Sequence, residues 1–200
     1  MFNPIRPAAL ALVGALSLTA CDSGEPVIGG PGEQELITEV TLTLTNTADA
    51  SDAVTIVASD PDGDGAGVTF APASATLRRG ATYAGTIRLR DTVNDEDITE
   101  EIRGEAEEHL FRYAFQPASA GAIAATDSET DYGSVDENGG DFAVGLTFEA
   151  TVAAGAAGSG AINAILYHFD DEPKTSSTDT SDEIDVDLAF PVSFAGAANS

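Results

Sequence analysis

Phe142-Ala143-Val144-Gly145-Leu146-Thr147-Phe148-Glu149-Ala150-Thr151-Val152 is the stretch whose reading decides the fold class. Phe142, Val144, Leu146, Phe148, Ala150 and Val152 occupy every second position. A period of two is what a strand with one buried face requires, because successive side chains point to opposite sides. The same period recurs on both sides of this stretch. Leu36, Val40, Leu42 and Leu44 form one row, with Glu39, Thr41, Thr43 and Thr45 opposite, and Val54 and Ile56 carry the pattern into a second strand. Tyr83, Gly85, Ile87 and Leu89 alternate with Thr86, Arg88 and Arg90. Residues 161–169 are expected to pair with the opening stretch as a hairpin across the small-residue loop 153–160. In the last strand Ile184, Val186, Leu188, Phe190, Val192 and Phe194 share one side, with Asp185, Asp187 and Ser193 on the other. Pro191 marks an edge or a bulge there, since it brings no N–H to a ladder. One-sided alternation fits antiparallel sheets packed face to face. The expected fold is therefore all-β, an antiparallel Ig-like β-sandwich of about seven to nine strands over residues 35–196.

One segment breaks the period. Asp97-Ile98-Thr99-Glu100 has the form of a capping box, with Asp97 as N-cap and Glu100 three residues on. Ile98, Ile102, Ala106 and Leu110 then recur at helical spacing. This predicts a short acidic helix or helical turn near 97–109, weakened by Gly104. A strand throughout, with a charged outer face, is the other reading. From Phe111, through Tyr113 to Phe115, alternation returns.

The chain carries 34 acidic residues against eight lysines and arginines, a formal charge of −26. Nucleic acid and anionic membrane surfaces need basic patches, so both are poor partners. Lys174 is the one lysine. Acidity with scarce lysine suits concentrated salt, where screening shortens to ~3 Å at 1 M and self-repulsion fades. Acid gathered at cation sites is the competing reading, and the two are compatible.

Residues 1–20 have the layout of a secretory signal: Arg6, then an apolar run over 8–16 too short for a permanent span. Leu18-Thr19-Ala20-Cys21 resembles a lipobox, in which the cysteine thiol accepts a diacylglyceryl group after small neighbours admit the peptidase. Cys21 is the only cysteine in the sequence, which suits that use and leaves no intrachain disulfide. The expectation is a lipoprotein anchored to a membrane through Cys21, in the cell envelope and at the outer membrane. Residues 22–34, rich in Gly, Pro and acid, read as a tether reaching roughly 20 Å. More than one acyl chain, at ~0.8 kcal/mol per buried CH₂, gives stable anchoring.

Two constellations point to cations. Asp60-Pro61-Asp62-Gly63-Asp64-Gly65 matches the first half of an EF-hand-type loop, with oxygen ligands at alternate positions and glycine at the sixth. Position twelve is Ala71, where a bidentate Glu belongs, and the same residues also favour a plain turn. Asp60, Asp62 and Asp64 are the Ca²⁺ candidates. His109 lies four residues after Glu105 and directly after Glu108, and His168 leads into Asp170. If the fold brings the histidines together, His109, His168, Glu105, Glu108 and Asp170 could form a mixed N/O site for Zn²⁺ or Cu²⁺. The alternative is two exposed histidines among chance acidic neighbours. No G-x-S-x-G, H-E-x-x-H or phosphate-cradling glycine loop is present, so the chain is not expected to be an enzyme.

Several segments carry a family resemblance: Glu35 to Thr45, Asp60 to Gly65, Leu77 to Asp91, and above all Glu96-Asp97-Ile98-Thr99-Glu100-Glu101-Ile102 running on to Glu107-Glu108-His109-Leu110-Phe111. They resemble small lipoproteins of Bacteroidota and related bacteria that carry the label "type 1 periplasmic binding fold superfamily protein". That family has no assigned activity. The resemblance implies a cell-envelope role beside an outer-membrane transporter. With no βα alternation in the chain, the fold expectation stays with the sandwich. The functional expectation is a non-enzymatic binding module for a metal ion or small solute. The alternative is a structural or adhesive β-sandwich without a small ligand.

Overall fold

The structure is a computed structural model, and it describes residues 36–63, 65–134, 139–169 and 174–196. The expected signal, Cys21 and the tether lie outside the described residues, as do Asp64 and Asp170. Among the described residues no helix is long and apolar enough to cross a membrane.

Ten strands and one short helix follow one another as β1 (Glu39–Asn46), β2 (Ala53–Ser59), β3 (Thr69–Ala71), β4 (Ala75–Arg78), β5 (Thr82–Arg90), α1 (Ile98–Gly104), β6 (His109–Gln116), β7 (Gly121–Ala125), β8 (Thr147–Val152), β9 (Ser159–His168) and β10 (Glu183–Ala195). They build a six-stranded sheet, β3-β2-β1-β5-β8-β7, and a four-stranded sheet, β4-β10-β9-β6. Every ladder is antiparallel except β4 with β10. The alternation read from the sequence is the alternation of burial. Leu42, Leu44, Ile56, Ile87, Leu89, Phe148 and Ala150 face inward from the larger sheet, and Phe111, Phe115, Ile162, Leu166, Phe190 and Phe194 from the smaller. Each large side chain so buried contributes roughly 1.5–3 kcal/mol, and this core holds an all-β sandwich together without disulfides.

Three local expectations are corrected. The opening stretch is a strand only over Thr147–Val152. Ile87 N–H still donates to Leu146 O at 3.0 Å, but Phe111 N–H takes Val144 O at 2.7 Å, so the chain passes from one sheet to the edge of the other. Gly145 makes that passage, with φ +87° and a position where a Cβ would lie 2.7 Å from the Phe111 Cβ. Residues 161–169 do not form a hairpin with β8. β8 pairs with β5 and β7, while β9 pairs with β10 and β6. Their apolar rows meet across the core rather than edge to edge, and the 153–158 loop crosses between layers. The helix is shorter than expected. Asp97 caps it by accepting from Thr99 N–H at 3.2 Å, but the Glu100 carboxylate pairs with Arg103. The helix stops at Gly104, and Glu105–Glu108 is a turn.

Pro191 sits where β10 has β9 on one side and has not yet met β4, whose ladder begins at Val192. The β-bulge of this strand lies elsewhere, between Ile184 and Val186.

Gly145→Ala is expected to lower stability by about 1–3 kcal/mol, because the left-handed backbone and the Phe111 contact are both lost to a methyl group. Urea unfolding measures this directly, and an unchanged midpoint would mean the crossover tolerates a side chain.

Candidate metal centre

β6 and β9 are paired so that His109 stands directly opposite His168. Both follow the inward parity of Phe111 and Leu166, so both imidazoles lie on the inner face at one end of the smaller sheet. The rings stack, with centroids 4.4 Å apart and planes 22° from parallel. The third member comes from β10. At its bulge the ladder steps from Ile184–Tyr167 to Val186–Leu166, and Asp185 is the extra residue. A bulge leaves one residue unpaired and re-aims its side chain. Asp185 is therefore buried beside Val186, instead of facing outward as strict alternation would have it. Its Oδ2 lies 3.6 Å from His168 Nδ1 and 3.9 Å from His109 Nε2. One donor atom from each of His109, His168 and Asp185 falls within 4.8 Å of the others.

The main chain fixes which nitrogen of His109 carries its proton. Nδ1 is 3.0 Å from Glu105 O, and a carbonyl only accepts, so Nδ1 bears the hydrogen and Nε2 a lone pair. Burial holds the ring neutral by pulling its pKa down to about 4. His168 and Lys174 act in the same direction, against the Glu105 hydrogen bond and the Asp185 charge. His109 Nε2 and Asp185 Oδ2 have no hydrogen-bond partner among the described residues, and both atoms are buried. A buried lone pair and a buried carboxylate oxygen thus lie 3.9 Å apart, an arrangement that favours a cation between them. Donors on a tetrahedral Zn²⁺ at 2.0–2.1 Å stand roughly 3.3 Å apart, so small movements would close the site.

The sequence candidates divide. His109 and His168 are in contact. Glu105 supplies its carbonyl rather than its carboxylate, which is exposed at the helix exit. Glu108 is outside the donor cluster, and its carbonyl accepts from Phe169 N–H at 2.8 Å. Glu105 was expected to share a helix face with His109, four residues on, and that helix ends before Glu105. Asp60 turns its Oδ2 onto Gly65 N–H at 2.8 Å, as a turn-forming aspartate does, and Asp62 is exposed.

Sequence reasoning missed Asp185, Glu129 and Lys174. Lys174 is fully buried, and so is the Glu129 carboxylate 2.8 Å from its ammonium. The ammonium also donates to the carbonyls of Ala106 at 2.7 Å, His109 at 2.8 Å and Ala143 at 3.2 Å. Burial lowers its pKa, while the pair with Glu129 pulls it back up. The one signal available was that this is the sole lysine in so acidic a chain. A cavity of about 510 Å³ between β6 and β7 offers less chemistry. Of its polar groups, Tyr113 OH donates to Gly145 O, and Asp127 accepts from Gly145 N–H, Thr147 N–H and Tyr132 OH.

Two outcomes follow for the metal-free protein. The unfolded chain binds a proton at His109 from about pH 6.5 downward, and the folded chain only near 4. Stability from the neutral ring is thus complete above pH 6.5 and falls by roughly 3 kcal/mol on the way to pH 4. The stability difference between wild type and His109→Gln should shrink by that amount between pH 7 and pH 4 in denaturant titrations. A difference independent of pH would mean the folded ring is already charged. Lys174→Met should cost about 3–5 kcal/mol at pH 7 by strandting the Glu129 charge, and a loss under 1 kcal/mol would mean Glu129 finds another partner.

Comparison of the chain with protein-family models, curated proteins and solved structures found no match.

Proposed function

We propose that this protein is a non-enzymatic lipoprotein of the cell envelope whose β-sandwich binds a borderline transition-metal ion, Zn²⁺ or Cu²⁺, through His109 Nε2, His168 Nδ1 and Asp185 Oδ2. The observation that carries the reading is a pair of buried atoms, His109 Nε2 and Asp185 Oδ2, that have no hydrogen-bond partner among the described residues and lie beside the second imidazole. Two imidazoles and one carboxylate suit Zn²⁺ or Cu²⁺ better than Ca²⁺ or Mg²⁺, which take oxygen ligands. The Glu105 carbonyl on the far nitrogen of His109 is the outer hydrogen bond that metal-binding histidines characteristically have. Convergence of both in-plane lone pairs on one ion would require the two rings to leave their stack.

The envelope address rests on residues 1–21, through the lipobox-like Leu18-Thr19-Ala20-Cys21 and the single cysteine. Work beside an outer-membrane transporter rests on the family resemblance. In that setting the domain holds the ion near a membrane through a short tether.

Titration of Zn²⁺ and Cu²⁺ against a chromophoric chelator should give one ion per chain, with a Kd tighter than about 10 μM. His109→Ala, His168→Ala and Asp185→Asn should each weaken it by at least about tenfold. Affinity weaker than that in the wild type, or unchanged in all three variants, would leave the cluster as a packing feature and favour the structural or adhesive reading. Intact-mass analysis of natively produced protein reads the address separately, since an unacylated Cys21 would remove it.

A further inference from the structure

We infer that Lys174, paired with Glu129, is the positioning residue of this metal centre. The inference rests on the reading of His109, His168 and Asp185 as that centre. His109 opens β6, an edge strand with β9 on one side only, and it follows the turn at Glu105–Glu108. Neither feature is rigid alone, since an edge strand lacks half its ladder and a turn lacks one altogether. Lys174 supplies what is missing. Its ammonium grips Ala106 O, one residue past the carbonyl that orients the imidazole, and His109 O, on the ligand residue itself. The segment from Ala106 to His109 is thus held at both ends by one atom. The third carbonyl, Ala143 O, ties this point to the chain that crosses between the sheets. Glu129 anchors the ammonium in turn: its Oε1 meets Nζ at 2.8 Å and its Oε2 accepts from Phe142 N–H at 3.3 Å.

A single charged atom shared by three carbonyls and a carboxylate fixes relative positions more tightly than separate neutral bonds would. Groups that orient a metal-binding histidine matter to affinity because they set ring direction before the ion arrives. Lys174 touches no donor side chain; it acts through the backbone that carries one.

The experiment separates positioning from stability. Lys174→Met leaves the Glu129 charge buried alone, so it is compared with Lys174→Met/Glu129→Leu, in which both charges are replaced by apolar groups. Zn²⁺ affinity is measured by chelator competition, and the Co²⁺ absorption spectrum reports ligand geometry. The double variant is expected to recover much of the unfolding midpoint that Lys174→Met loses. It should still bind one Zn²⁺ about tenfold more weakly than wild type, with an altered Co²⁺ spectrum. Leu42→Ala, in the opposite sheet, controls for destabilisation and should keep affinity within about twofold. A double variant that binds within twofold of wild type with the same spectrum overturns the inference and leaves the metal centre intact. A wild type that takes up no Zn²⁺ overturns both. Should neither Met-containing variant fold, Lys174→Arg gives the same readout, because a planar guanidinium cannot bring one atom to all three carbonyls.

Discussion

One buried ammonium ion organises one end of this molecule. Taking a lysine and a glutamate out of water is costly, and their mutual attraction offsets that cost only when the remaining hydrogen-bonding capacity is used. Here it is used: Lys174 meets three carbonyls as well as Glu129. The carbonyls come from the turn after α1, the first residue of β6 and the crossover before β8. Ala106 lies in a turn, His109 is the first residue of its ladder and Ala143 forms only an isolated bridge with Ser128, so each sits at a margin of regular structure. A set of main-chain acceptors left over from two sheets and a helix is gathered on one donor, and the sandwich closes around it.

That arrangement has an electrostatic consequence for the neighbouring cluster. Lys174 and His168 both oppose charge on His109, and burial opposes it more strongly. The ring is kept neutral in a chain of formal charge −26, where long-range attraction would otherwise favour a proton. Local desolvation outweighs a large but distant and screened field. The acids do not simply decorate the surface, either. Asp127 is saturated by three donors and braces the crossover, Asp91 accepts from the turn it begins, and Asp52 meets Arg78 and Tyr83.

Much of this fold was legible in the sequence. Strand alternation is a local property, and Leu42, Ile87, Phe148 and Phe190 lie on the buried faces that a period of two assigns to them. The start of α1 was equally local, written in Asp97, although the Glu100 half of the expected capping box turns to Arg103 instead. What could not be read was which strands become neighbours. The 153–158 loop joins β8 and β9 as readily across layers as within one, and no residue in it distinguishes the two. The contact of His109 with His168 depends on the register of β6 against β9, where a slip of one residue would turn every side chain to the other face. Asp185 was hidden for a different reason. Ile184-Asp185-Val186-Asp187 alternates without fault in sequence, and only the bulge overrides the pattern. Lys174 engages main-chain carbonyls, and acceptors present in every residue leave no signature.

The first strand of the fold is an interior one. β1 is hydrogen-bonded along its length to β2 on one side and to β5 on the other, with registered pairs running from Glu39 to Thr45 on the first ladder and to Asn46 on the second. Whatever precedes Leu36 therefore enters the body of the larger sheet at its middle, not at a rim. A pull along that chain would load both ladders lengthwise at once, and many bonds would have to fail together before any single one could peel away. The strand that meets such a load first is the one seated deepest in its sheet.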